Sequence, residues 1–224
     1  MTLKLSEKQR LRIQTRHRVS VENHGYQPQA LYWTSREIQE IRFQKLIEIL
    51  QRRPITDCDA WSLLDVGCGF ADLMHYLKKH NLSPDYTGID ISPDMVLGAT
   101  AQTPGLKVFE GELSDFDFTE GQFDYVMLSG ALNEVVETIV EGTADQQGQY
   151  AKSVISKMYQ FCQKGVAFNL LDKRNADMES KIYLQSFYPE EIIEFCQTFA
   201  TKVYLVDGYL DNDFTIYLYK ESDK

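Results

Sequence analysis

The sequence predicts an α/β fold built on a mostly parallel sheet, and three observations lead there. From residue 61 onward, short β-rich apolar runs alternate with amphipathic stretches, the pattern of strands joined by crossover helices. The run Leu63-Leu64-Asp65-Val66-Gly67-Cys68-Gly69 ends in an acid and a Gly-x-Gly turn. That describes a buried strand stopping beside a helix N-terminus, where a side chain would keep the backbone from a ligand. A second run, Tyr86-Thr87-Gly88-Ile89-Asp90, ends in another carboxylate, at a spacing suited to ribose hydroxyls. The two strand ends are expected to form a nucleoside-binding crevice, which points to an enzyme.

The elements follow in order. Residues 5–18 carry Leu5, Leu11 and Ile13 among polar groups, a weak helical pattern, and residues 23–29 read as a loop. Thr34 or Ser35 is a suitable N-cap for a helix whose apolar face runs from Ile38 to Leu50 and which Pro54 closes. Strands are expected at about 61–66, 85–89, 106–110, 123–129 and 164–170. Helices are expected between them at about 71–80, 93–101, 146–162 and 189–199, the last opened by Pro189-Glu190-Glu191. Residues 202–207 and 214–219 are β-rich with no helix between, so they pair antiparallel. This gives seven strands in one domain spanning 1–224. Residues 1–53 are expected to form a helical cap and residues 60–224 the binding core.

Composition narrows the class. Hydrophobic residues at 43% and charged residues at 25% are ordinary for a globular protein, and no apolar run approaches the roughly 20 residues a membrane span needs. The N-terminal residues are charged and lack a signal-peptide core, so the expected location is the cytoplasm. The expected assembly is a monomer or homodimer. A formal net charge of −10 argues against nucleic-acid binding, which depends on neutralising phosphates. Lys4, Lys8, Arg10, Arg12, Arg16 and Arg18 nevertheless concentrate positive charge in the first helix. That helix could meet an anionic substrate or a nucleic acid, or it could simply present a solvated face or a partly disordered arm. Cys58, Cys68, Cys162 and Cys196 are widely spaced, against both a zinc cluster and a disulfide framework. Cys68 reads as a small residue filling the glycine turn more readily than as a nucleophile.

Asp65-Val66-Gly67-Cys68-Gly69 resembles the first motif of the class I S-adenosylmethionine-dependent methyltransferases, and Gly88-Ile89-Asp90-Ile91-Ser92 the second. Glu110-Gly111-Glu112-Leu113 resembles the segment beside the adenine, and Phe123 to Gly130 the fourth strand and the edge of the acceptor pocket. The resemblance spans residues 60–220 and includes the terminal hairpin. Tyr26 to Phe43 also resembles an uncharacterised bacterial subgroup. It implies a Rossmann-like sheet with S-adenosylmethionine as cofactor and no metal. In that reading Asp65 serves the amino-acid end, Gly67, Cys68 and Gly69 allow close backbone approach, and Asp90 takes the ribose hydroxyls. Ile91 lies against the adenine, Glu112 accepts from its amino group, and the Leu113 backbone meets a ring nitrogen. Ser129 edges the acceptor pocket. Trp33 and Tyr26 would cover the sulfonium and Arg36 hold the cofactor carboxylate, unless these residues merely pack the cap onto the sheet.

Methyl transfer needs a base only if the acceptor must lose a proton. His17, His24 and Glu134 are the candidates, with Asn133 as an orienting group; His75 and His80 are expected to face solvent. The chain lacks the Asp/Asn-Pro-Pro-aromatic signature after the fourth strand and a Pro-Cys pair, which with the acidic composition favours a small-molecule acceptor. Two alternatives stand beside this. One is an NAD(P)-dependent oxidoreductase, against which Asp72 occupies the third glycine position. The other is a noncatalytic S-adenosylmethionine-binding protein.

Overall fold

A computed structural model describes residues 3–52, 60–137 and 144–220; Pro54 and Cys58 lie outside the described residues. The chain opens with α1 (Glu7–His24), a 3-10 turn at Pro28–Leu31 and α2 (Arg36–Ile47). The alternating part follows as β1 (Ser62–Val66), α3 (Asp72–Lys79), β2 (Asp85–Asp90), α4 (Pro93–Gln102), β3 (Val108–Glu110), β4 (Phe123–Ser129), α5 (Gln149–Phe161) and β5 (Cys162–Asp172). It closes with α6 (Ala176–Ser180), β6 (Ser186–Phe187), α7 (Pro189–Gln197), β7 (Lys202–Val206) and β8 (Asp213–Tyr219).

The strands lie in the order β3-β2-β1-β4-β5-β8-β7, with β6 paired to β5 off this path. Seven strands were expected; the eighth is β6, a two-residue strand too short to leave a periodic signal. Only β8 runs against the rest, pairing antiparallel with both β5 and β7. β1 sits between β2 and β4, parallel to both. Because the chain winds outward from β1 to β2 and β3 and then returns to β4, the carboxyl ends of β1 and β4 flank a topological switch point, where such sheets open a crevice.

Period-2 alternation builds the two faces. Leu64, Val66, Val126, Leu128, Ile216 and Leu218 point toward α5 and α7, in a core with Ile155, Met158 and Ile192. Leu63, Tyr125, Met127 and Tyr217 point the other way, against Phe43, Leu46 and Ile49 of the second helical region and Leu73 and Leu77 of α3. α2 is therefore a structural layer on the sheet. Tyr217 Oη donates to the Lys45 carbonyl and Tyr219 Oη to that of Ile49, at 3.1 Å in the second case. Of the residues expected to form a cap, α1 and the turn after it reach the strand ends, and α2 adds Ile38, Gln39 and Arg42 to the cavity there.

α1 extends to His24, well past the expected residue 18. Ser6 caps its start by accepting from Gln9 N, and Gly25 at φ +61° ends it. The helix shows a weak apolar stripe because it docks largely through charge. Arg10 pairs with Glu112 and Asp115, Lys4 with Asp115, and Arg12 and Arg16 with Glu134. Much of the basic patch is thus turned inward onto the core's own acids. No helix of the described residues is long and apolar enough to cross a membrane.

Candidate functional site

A cavity of about 380 Å³ opens at the switch point. Its base is the turn after β1. Gly67 and Gly69 adopt φ of +70° and +55°, a left-handed region that favours glycine. A Cβ on Gly67 would stand 2.2 Å from the Ala131 Cβ, so the turn packs directly against the Ala131 side chain after β4. The thiol of Cys68, between them, is buried, and burial beside Asp90 and Asp65 pushes its pKa well up. It fills the turn and is a poor nucleophile.

Two carboxylates face this turn. Asp90 is 6% exposed; one oxygen accepts from Gly69 N and the other from Ser92 N, each at 2.9 Å. It therefore joins the glycine turn to the start of α4. Burial raises its pKa, while His17 and the two backbone donors pull it down. Each carboxylate oxygen retains a further lone-pair site for a hydroxyl donor.

Asp65 is 2% exposed and receives the Tyr86 hydroxyl at 2.7 Å. Gly88 makes this possible, since a Cβ there would lie 3.0 Å from the Tyr86 oxygen. Burial lifts the Asp65 pKa to about 7 against the Tyr86 hydrogen bond, and the charges of Asp90 and Asp72 add to the rise. This partner was missed in sequence, although the pairing of Leu63 with Tyr86 puts the two residues on adjacent strands.

Glu112, Leu113 and Ile91 line the opposite end. Glu112 is already engaged by the Leu5 N–H, Arg10 and the Tyr150 hydroxyl, the last at 2.9 Å. An adenine amino group would have to share or displace these donors. The Leu113 side chain is buried in the core, and the Ile91 carbonyl takes Gln14 Nε2 at 2.9 Å, which ties α1 to this rim.

Beyond β4 the walls change. Ser129 lines the cavity and donates to Asn169 Oδ1 at 3.1 Å; Trp33, Asn133 and Glu134 line it with Met178, Lys181, Leu184 and Gln185 from the segment between β5 and β6. His17 also lines it, with its Nδ1 buried and unpartnered. The oxygens of Glu134 face Arg12 and Arg16 at 3.0 and 2.9 Å.

Several expected residues lie elsewhere. His24 is exposed in the last turn of α1 and outside this cavity, so it is no candidate base. Tyr26 packs edge-on against Phe70 at 5.3 Å and does not reach the cavity either. Arg36 does not line the cavity; it is paired at 2.8 Å with Asp72, a buried carboxylate of the cavity wall at the start of α3 that Gln39 also holds. His75 is half-buried and bonded to Thr103 at 2.7 Å, whereas His80 is exposed. Sequence reasoning also missed a buried pair, Arg42 with Asp213, under the ring of Trp33.

Comparison with known proteins agrees with this geometry. A family model described as a methyltransferase domain matches residues 63–146, the segment holding both strand ends and the turn after β4. The chain is 27% identical over 177 residues to Rv1506c of Mycobacterium tuberculosis, a protein named as a methyltransferase, covering 76% of this chain and 99% of that one. Among solved structures, PH0226 of Pyrococcus horikoshii OT3 aligns with a TM-score of 0.61 at 14% identity, over 84% of this chain and 93% of that one. The magnesium protoporphyrin IX methyltransferase of Synechocystis PCC 6803 with bound S-adenosylmethionine gives 0.57 at 11% identity, over 82% and 80%. At these identities the structures attest the fold. The matched domain and the curated relative make the chain similar to methyltransferases, and together with the strand-end geometry they support a class I S-adenosylmethionine-dependent methyltransferase.

Proposed function

We propose that the protein transfers a methyl group from S-adenosylmethionine to a small-molecule acceptor bound at the Trp33–Asn133 end of the cavity. The observation that carries this reading is the continuity of one cavity. It joins the Gly67–Gly69 turn and the two strand-end acids to a separate, partly apolar wall beyond β4. The residues fit the cofactor: the turn admits close backbone approach, and both oxygens of Asp90 keep acceptor capacity next to the unpartnered His17 Nδ1. Asp65 offers a carboxylate to an ammonium group, Gly67 and Gly69 their backbone, and Asp90 its oxygens to a ribose diol. Ile91, Glu112 and Leu113 remain for the adenine end, in competition with Leu5 and Arg10.

When bound, S-adenosylmethionine supplies an electrophilic methyl carbon on a sulfonium. An acceptor lone pair forms the new bond to carbon, the carbon–sulfur pair stays on sulfur, and any acceptor proton passes to solvent or buffer. The chain's own contribution is to align the acceptor and exclude water. Ser129 and Trp33 border the passage between the two ends. Glu134 is held between two arginines, so accepting a proton would break those pairs; we assign it to anchoring α1. His17, beside Asp90, is assigned to the cofactor. A nucleic-acid acceptor is disfavoured because the first helix has committed arginines to Glu112, Asp115 and Glu134.

Calorimetric titration with S-adenosylmethionine, S-adenosylhomocysteine and NAD tests the donor. The first two are expected to bind and NAD to bind at least about tenfold more weakly; tighter NAD binding would overturn the reading. Methyl-donor consumption against a metabolite panel then tests turnover.

Leu5, Ile13, His17, Leu31 and Trp33 all line the cavity from outside the alternating core. Deleting residues 1–36 is therefore expected to spare the sheet, seen in circular dichroism, and to weaken S-adenosylhomocysteine binding by at least about tenfold. Normal binding by the truncated chain would show that this segment does not hold the cofactor.

A further inference from the structure

The acceptor end has a polar floor that methyl transfer itself does not use. Arg42 of α2 is 5% exposed, lines the cavity and lies under Trp33, its Cζ 4.6 Å from the ring centroid. One Nη binds Asp213 Oδ2, while Nε has no hydrogen-bond partner. A guanidinium is a planar fork matched to both oxygens of a carboxylate. Asp213 does not complete that fork, because its Oδ1 takes the Tyr209 hydroxyl at 2.6 Å. The same indole also packs against Gly130, where a Cβ would stand 2.9 Å from Cη2. Three residues further, Asn133 lines the same cavity with its buried Oδ1 also unpartnered. A donor and an acceptor, both unsatisfied, thus belong to residues lining the same cavity as Trp33.

We infer that this end is a subsite for a small carboxylate, with its carboxylate on the Nε edge of Arg42 and an O–H or N–H of its own donating to Asn133 Oδ1. Charge around the subsite is compatible. Asp72 is occupied by Arg36 and Gln39, Asp213 by Arg42 and Tyr209, and Lys181 adds a cation to the wall while bridging to Asp177 at 2.8 Å. Met178 and Leu184 give the rest of the molecule an apolar surface. This inference rests on the methyltransfer reading above and specifies its acceptor.

The test uses the full chain saturated with S-adenosylhomocysteine and four matched pairs of probes: benzoate and benzamide, 4-hydroxybenzoate and its amide, 3-phenylpropionate and its amide, and hexanoate and hexanamide. At least one acid is expected to bind about tenfold or more tighter than its amide, as a charge-assisted contact predicts. Arg42→Gln combined with Asp213→Asn, which removes both buried charges together, is expected to abolish that preference while still binding S-adenosylhomocysteine. Should the pair fail to fold, Arg42→Lys keeps the charge without the fork and is expected to cut the preference at least about fivefold. Equal binding of acids and amides, binding of none of the acids, or a preference that survives the double substitution would each overturn the carboxylate subsite. The prior titration keeps the two readings apart, since failure there concerns the methyl donor alone.

Discussion

Asp90→Ala is expected to lower S-adenosylhomocysteine affinity more than tenfold and to destabilise the fold by about 2–6 kcal/mol. Both effects come from one carboxylate. Its two oxygens satisfy the buried Gly69 and Ser92 N–H groups, so alanine orphans two donors at once, each costing about 1–3 kcal/mol. The same change removes the acceptor proposed for the ribose hydroxyls. Asp90→Asn separates the two contributions, because its remaining oxygen can keep one backbone donor while its amide nitrogen opposes the other. It is expected to fall between wild type and alanine in denaturant unfolding, yet nearer to alanine in cofactor affinity. Unchanged affinity in a folded Asp90→Ala protein would remove the ribose assignment.

The parts of this site legible in sequence are those whose chemistry is local. Asp65, Gly67, Gly69 and Asp90 stand at the ends of apolar runs, and a strand end followed by a glycine turn constrains its neighbours within a few residues. The fourth strand was readable from 123 to 129 for the same reason, since alternating and β-rich residues mark it without outside help. What stayed hidden was set by contacts across the chain. Arg36 and Arg42 both follow a clear helix start, and nothing local distinguishes the half-exposed one paired with Asp72 from the one buried against Asp213. Tyr26 and Trp33 are seven residues apart, yet only Trp33 reaches the cavity. Glu112 looked free to receive adenine because its partners Leu5 and Arg10 lie more than a hundred residues away. The first helix was underestimated because ion pairs, unlike an apolar stripe, leave no periodic signal.

Asp65→Asn is expected to make the unliganded protein more stable at pH 8 and a poorer binder of cofactor. The wild-type carboxyl titrates near 7 in the fold against 3.8 when unperturbed, chiefly because burial penalises its charge. The folded protein therefore holds the proton more tightly than the unfolded chain. The stability this contributes is fully present below pH 4, declines as pH rises from about 4 to 7, and is gone above that. Three units of difference correspond to a cost of up to about 4 kcal/mol for carrying the buried charge at pH 8. Asparagine keeps an oxygen for the Tyr86 hydroxyl and carries no charge, so unfolding measured against pH should lose its decline between 4 and 7. A cofactor ammonium group changes the balance, because it favours the ionised carboxylate that burial disfavours. S-adenosylhomocysteine affinity should accordingly rise from pH 6 to 8 in the wild type and stay flat and weaker in the variant. A wild-type unfolding free energy that does not fall relative to Asp65→Asn across that range would show that Asp65 is ionised in the free protein. The amino-acid end would then meet a carboxylate already charged before binding, and the coupling between proton release and cofactor capture would be absent.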